Sequence, residues 1–203
     1  RHIAYTQTDL GNSQRFIDEI GHKVRYCEEQ KCWYIWNGKK WNEDKKNEIQ
    51  ELAKETVQEM HTKAKAISDP EIRKTSLKHA QKSQGRRSIQ NMISMSSSDR
   101  SINVNAEDLD TQNWLLNIEN GTLDLETGKL LSHDPNHLIS KITNIEFNEK
   151  AECPKWKDFL NYIFANDMEL IGYMQKLAGY CLTGSIKQQI LPILYGNGNN
   201  GKT

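Results

Sequence analysis

The stretch Ile190-Leu191-Pro192-Ile193-Leu194-Tyr195-Gly196-Asn197-Gly198-Asn199-Asn200-Gly201-Lys202-Thr203 decides how the rest of the chain is read. Its start, Ile190–Tyr195, is a nearly continuous apolar run, which suits a strand buried on both faces. Its end, Gly196–Thr203, fits G-x-x-x-x-G-K-[ST], the pattern of a phosphate-binding loop. Each position has a physical reason. Glycines allow positive φ and let backbone N–H groups turn inward onto phosphate oxygens. Asn197, Asn199 and Asn200 tolerate turn conformations. Lys202 places a charge on the terminal phosphates of a nucleotide, and Thr203 offers a hydroxyl to the Mg²⁺ that bridges them. A plain Gly/Asn-rich surface turn is the competing reading. An apolar strand directly ahead of the loop weighs against it. The helix and acidic strand that complete such a site would follow Thr203. These 203 residues by themselves are therefore expected to bind ATP weakly and to hydrolyse none.

Upstream, helical and strand patterns alternate. Asp9 can cap a helix to Ile20 with Phe16, Ile17 and Ile20 on one face, ended by Gly21. Val24–Cys27, Cys32–Trp36 and Lys39–Trp41 read as a meander, the last two joined by an Asn37-Gly38 turn. Ile49, Ala53, Val57, Met60, Ala64 and Ile67 recur at helical spacing and predict a long helix over about Asp44 to Ile67. Pro70 suits the first turn of the next helix, running toward Gly85, and Arg86 to Met95 predicts another. Ser96 to Asn103 is polar and Ser-rich, the pattern of a linker. Trp114–Asn117, Thr122–Leu125 and Lys129–Ser132 predict a second meander, with Ile139–Phe147 as a further strand. Pro154 opens a helix through Trp156 and Ile163. Asn166 with Glu169 suggests a capping box for the last helix, which ends at Gly184.

Charge balances, with 27 Lys plus Arg against 27 Asp plus Glu, so any anionic partner must be met by a local cluster. One such cluster exists. Between Ile72 and Ser98 lie Arg73, Lys74, Lys78, Lys82, Arg86 and Arg87, with no Asp or Glu. Lys74, Lys78 and Lys82 share a helical face, and like charges at that spacing repel unless an anion relieves them. A solvated face is the plain alternative. The first meander adds Arg25, Lys31, Lys39 and Lys40 among Tyr26, Trp33, Tyr34, Trp36 and Trp41, a mix that can stack bases and track phosphates. The stronger reading makes these aromatics the core of a small sheet, because a sheet this small needs large residues. Alternation sets Trp33 and Ile35 on one face and Tyr34 and Trp36 on the other, so at most one set is expected to be buried.

The four cysteines are too few and scattered for a disulfide framework, which points to a reducing cytoplasm. Cys27, Cys32 and His22 are too loosely spaced for a zinc site, and Pro135 between His133 and His137 argues against a shared helix face. There is no stretch long and apolar enough to span a membrane. No Ser/His/Asp or paired-carboxylate site is recognisable.

Three stretches resemble the domain that precedes the ATPase core in superfamily 3 helicases of the phage and poxvirus primase–helicase family. The first is Thr8-Asp9-Leu10-Gly11-Asn12 with Arg15-Phe16, then Arg25-Tyr26 and Trp33 to Trp41. The second is Asn120-Gly121-Thr122-Leu123-Asp124-Leu125 with Thr127-Gly128, then Cys153-Pro154-Lys155-Trp156. The third is Gly179-Tyr180 with Leu182-Thr183-Gly184, running into the phosphate loop. The resemblance implies a hexameric, ATP- and Mg²⁺-dependent replicative DNA helicase, often with a primase upstream. It carries ATP-site roles over to Gly196, Gly201, Lys202 and Thr203 only. The acidic magnesium ligands, the sensor residue and the arginine supplied by a neighbouring subunit would lie beyond Thr203.

The expected fold is α+β, mostly helical with two small antiparallel β-meanders, ending in the first strand and phosphate loop of an ATPase core. The expected divisions are 1–100, 101–187 and 188–203. The expected role is DNA binding and ring assembly in a helicase of phage or mobile-element origin, acting on single-stranded DNA in a bacterial cytoplasm. Candidate DNA contacts are Lys74, Lys78, Lys82, Arg86, Arg87, Lys39 and Lys40. A non-catalytic DNA-binding or oligomerisation module, or an unrelated phosphate-loop enzyme such as a kinase, are the alternatives.

Overall fold

A computed structural model describes residues 5–195. Within it the chain is α+β, with six α-helices and two three-stranded antiparallel sheets among the described residues. The phosphate loop Gly196–Thr203 lies outside the described residues.

Helix α1 (Asp9–Ile20) begins where Thr8 holds extended backbone, φ −137°, and its Oγ1 accepts the Gly11 N–H at 3.2 Å. The cap is thus Thr8 rather than Asp9: a cap must have non-helical backbone, and Asp9 is already helical. Gly11 is held to glycine by close approach, since a Cβ there would collide with the Thr6 carbonyl oxygen. Strands β1 (Val24–Cys27), β2 (Cys32–Trp36) and β3 (Trp41–Glu43) follow. The expected two-residue turn is instead a four-residue loop, Asn37 to Lys40, because Trp36 pairs with Trp41. Asn37 closes it, its Oδ1 accepting both the Lys39 and Lys40 N–H groups at 2.9 Å.

Helix α2 (Glu48–Lys65) starts later than its apolar pattern suggested. Asp44 stays outside the helix and caps it from there, accepting the Glu48 and Ile49 N–H groups at 2.8 and 2.9 Å. Helix α3 (Pro70–Ser83) is capped by Asp69, with Pro70 where its missing N–H costs nothing. Helix α4 (Arg86–Ser96) follows across Gly85.

Two cores hold this unit. The first joins Phe16 and Ile17 of α1, Val24 and Ile35 of the sheet, the α2 stripe Ile49, Ala53, Val57 and Met60, Ala80 of α3, Met92 of α4, and Ile102. Burying each large member contributes about 1.5–3 kcal/mol. The second lies on the other side of the sheet. It joins Cys27, Tyr34 and Trp41 to Val104, Leu109 and Leu138. Both faces of the sheet are therefore covered, against the expectation of one. Tyr26 and Trp33 pack on the first core, Trp36 on the second. The cover for the second face comes from residues beyond the polar Ser96–Asn103 segment. That segment is not a free linker: Ser96 is buried in α4, and Tyr26 donates its N–H to Ile102 O at 2.9 Å. Desolvation on this face pushes the Tyr34 phenol up to about 12.

Contacts divide the chain into two compact units. One runs to Asp110 and includes Asp134–Ser140; the other comprises Thr111–His133 and the chain from Lys141 onward. In the second unit, β4 (Leu115–Ile118), β5 (Gly121–Asp124) and β6 (Leu130–Leu131) form the other meander. Ile118 pairs with Gly121, so the turn residues are Glu119 and Asn120. Asn120 secures the turn through Phe147, donating to its carbonyl at 2.9 Å and accepting its N–H at 3.0 Å. Ile139–Phe147 is not a strand. Only Thr143 bridges to Ile118, because the run makes isolated backbone bonds rather than a ladder.

Helices α5 (Pro154–Ile163) and α6 (Met168–Cys181) end this unit. Asp167, not Asn166, caps α6, because Asn166 has φ 63° and Asp167 the extended backbone a cap requires. Ile190–Tyr195 forms no strand among the described residues; these apolar residues are largely exposed, Tyr195 at 92%. A strand needs neighbours to bond with, and no described segment pairs with this one. Among the described residues no helix is long and apolar enough to cross a membrane.

Candidate nucleic-acid interface

The inner faces of α3 and α4 are fixed to α1 by a buried polar network rooted in Thr8-Asp9-Leu10-Gly11-Asn12. Asn12 is 2% exposed and lies at its centre. Its Nδ2 donates to Ser83 Oγ at 3.0 Å, and its Oδ1 accepts from His79 Nε2 at 2.9 Å, which assigns the proton to that nitrogen. Ser13 and Ser96 hydroxyls meet at 3.1 Å, and Asn91 Nδ2 donates to the Asp9 carboxylate at 2.7 Å. A buried network with its members paired sets one register for the three helices. The sequence pattern gave no role to Asn12, His79 or Ser83. The available signal was the set of polar residues interrupting otherwise apolar inward positions of α1 and α3.

The network orients what lies outside. On α3 the inward positions are Ser76, Leu77, Ala80 and Ser83. Lys74, Lys78 and Lys82 fall on the opposite side, and all three are exposed. Arg86 and Arg87 occupy the first turn of α4 and are exposed too. Two cations there oppose the positive end of the helix dipole, and Gly85 supplies no side-chain cap. Some cations elsewhere are matched, such as Lys54 to Glu51 at 2.7 Å and Lys63 to Glu19 and Glu59 at 2.9 Å. Lys74, Lys78, Lys82, Arg86 and Arg87 enter no ion pair among the described residues. This leaves an outward basic surface whose field can hold a polyanion.

Of the sequence-predicted contacts, the fold brings these five onto α3 and the start of α4. Lys39 and Lys40 lie on the β2–β3 loop, and the sheet is not among the main packing partners of α3 or α4. The aromatic hairpin belongs to the two cores. Tyr26 and Trp33 rings are 5.0 Å apart, Trp36 and Trp41 rings 5.5 Å, and the Arg25 guanidinium stacks on Trp41 at 4.7 Å. The expected ATP and Mg²⁺ residues Gly196, Asn197, Gly198, Asn199, Asn200, Gly201, Lys202 and Thr203 lie outside the described residues. Cys27 and Cys32 are cross-strand neighbours with free thiols. Among the described residues no group of three or more His, Cys, Asp or Glu is placed to hold a metal.

His79 gives the network a pH dependence. Burial holds its imidazole below the ordinary value, aided by the nearby Arg15 and Lys82 charges and opposed by Asp9. A histidine with a lowered folded pKa binds its proton more readily when unfolded. Stability is therefore retained above the unfolded value of about 6.5 and falls as pH drops below it. Chemical denaturation at neutral and mildly acidic pH is expected to show that loss, and His79→Gln is expected to shrink it. Equal losses in both proteins would remove His79 as the cause.

A family model described as "D5 N terminal like" matches residues 13–165, about three quarters of the chain. Among curated proteins, one from Acanthamoeba polyphaga mimivirus, named "Putative helicase L207/L206", is 36% identical over 99 residues. That alignment covers 47% of this chain and 10% of the mimivirus protein, so the chain spans about a tenth of its relative.

Proposed function

This chain belongs to the D5 N terminal like family, within the phage and poxvirus primase–helicases, and on that premise we propose that it is the N-terminal region of an ATP-dependent DNA helicase and supplies that enzyme's DNA contacts. The observation that carries the proposal is the outward face of α3 and α4, where Lys74, Lys78, Lys82, Arg86 and Arg87 have no ionic partner among the described residues. A helicase works on a polyanion, and affinity for it rests largely on such contacts.

In the intact protein, Gly196–Gly201 would wrap the nucleotide phosphates, Lys202 would neutralise them and Thr203 would hold Mg²⁺. Hydrolysis would drive a hexameric ring along single-stranded DNA. Ring assembly draws support from the second unit. Helix α6 is apolar around most of its circumference yet has no buried residue, and α5 exposes Trp156, Phe159 and Tyr162. A helix of that composition is normally covered.

The test is ATPase activity of the intact protein, with and without single-stranded DNA, beside Lys202→Ala. Turnover stimulated by DNA and lost in the variant is the expected result. DNA binding without turnover in either protein would favour a non-catalytic binding module. Turnover indifferent to DNA would favour an unrelated phosphate-loop enzyme.

A further inference from the structure

We propose that the α3–α4 face grips the sugar-phosphate backbone of duplex DNA, without reading sequence, rather than a single strand. The inference rests on the DNA-contact reading above and specifies the form of nucleic acid.

Single-strand grooves combine cations with exposed aromatic rings on which bases stack. This face has the cations and lacks the rings. From Pro70 to Ser96 there is no Phe, Tyr or Trp. The aromatics elsewhere in the same unit are engaged. Phe16, Tyr34 and Trp41 are buried, while Tyr26, Trp33 and Trp36 pack against the two cores. Tyr5 lies under the Arg15 guanidinium at 4.7 Å. Without stacking, affinity rests on charge density. Lys74, Lys78 and Lys82 span ~12 Å of helix axis at 1.5 Å per residue. Over that length a duplex presents about seven phosphates and a single strand about half as many. No carboxylate lies between Ile72 and Ser98 to repel either. The uncapped first turn of α4, with Arg86 and Arg87, adds N–H donors and charge at the end of the row. Contacts from these cations to phosphates fix position on the duplex and carry no sequence information directly.

The experiment is fluorescence polarisation with the 203-residue chain. The probes are a blunt duplex and a single strand of the same length and mixed sequence, over a salt series. The expected result is duplex binding about tenfold tighter or more, unchanged when the sequence is scrambled. Its log-log salt slope should be near −4.5, about 0.9 per contact for five contacts. Lys78→Gln with Arg87→Gln should reduce that slope by about two without moving the melting temperature. Equal or tighter single-strand binding, lost in the same variant, overturns the duplex assignment and leaves the DNA-contact reading standing. Duplex preference untouched by the variant overturns this face as its seat. No binding to either probe overturns both.

Discussion

Replacing Lys78, Lys82, Arg86 and Arg87 together with glutamate is expected to weaken DNA binding by about a thousandfold near 0.1 M salt. Each lost phosphate contact removes roughly a 0.9-power dependence on salt, or somewhat under tenfold at that concentration. Four contacts multiply, and the new carboxylates repel the same phosphates. The fold should survive, because all four side chains are exposed and face away from the cores. Arg86→Glu and Arg87→Glu should even help α4. An acid in the first turn suits the helix dipole by about 0.3–1 kcal/mol, where the native arginines oppose it. Lys82→Glu costs a similar amount, because Lys82 lies in the last turn of α3, where a cation suits the dipole, so the variant is expected to melt near the native temperature while losing DNA. Unchanged affinity at low salt would remove this surface from the account.

Trp41→Ala is expected to cost about 3–5 kcal/mol, a large share of the stability of a domain of this size. Trp41 is 1% exposed at the centre of the second core. It donates Nε1–H to Pro135 O at 2.8 Å, meets Trp36 across the strands and carries the Arg25 guanidinium on its ring. The deletion leaves a cavity, removes one hydrogen bond to the Pro135 carbonyl and strips a half-buried guanidinium of its aromatic cover. Trp41→Phe should recover most of the packing and still lose about 0.5–1.5 kcal/mol for the indole hydrogen bond, because the Pro135 carbonyl keeps the Leu138 N–H at 3.3 Å. Urea unfolding measures both. A loss below about 1 kcal/mol for Trp41→Ala would mean the second core contributes little.

The contrast between these two variants marks what could be read in advance. Lys74, Lys78 and Lys82 were legible because helical spacing puts them on one face whatever packs behind it. Helices α1, α3 and α5 were legible for the same reason, with Pro70 and Pro154 marking two starts. What escaped depends on residues distant in sequence. Nothing near the hairpin announces that Val104, Leu109, Pro135 and Leu138 return to cover its second face. Asn12, His79 and Ser83 become a network only once α1 and α3 are side by side. The caps slipped by one residue, to Thr8 and Asp167, because backbone conformation chooses among adjacent capping residues. Ile190–Tyr195 has the composition of a central strand, but a strand is defined by its partners. Charge alone groups Lys39 and Lys40 with Lys74, Lys78 and Lys82, and the fold places the two groups on different elements.

The claim that α3 and α4 present the DNA-binding surface is tested most directly by lysine protection. The chain would be acetylated with and without DNA at low salt, and labelling of each lysine quantified by mass spectrometry. DNA is expected to shield Lys74, Lys78 and Lys82, while Lys65 on α2 and Lys157 on α5 label at the same rate in both samples. Equal labelling of the three α3 lysines with DNA bound would contradict that claim.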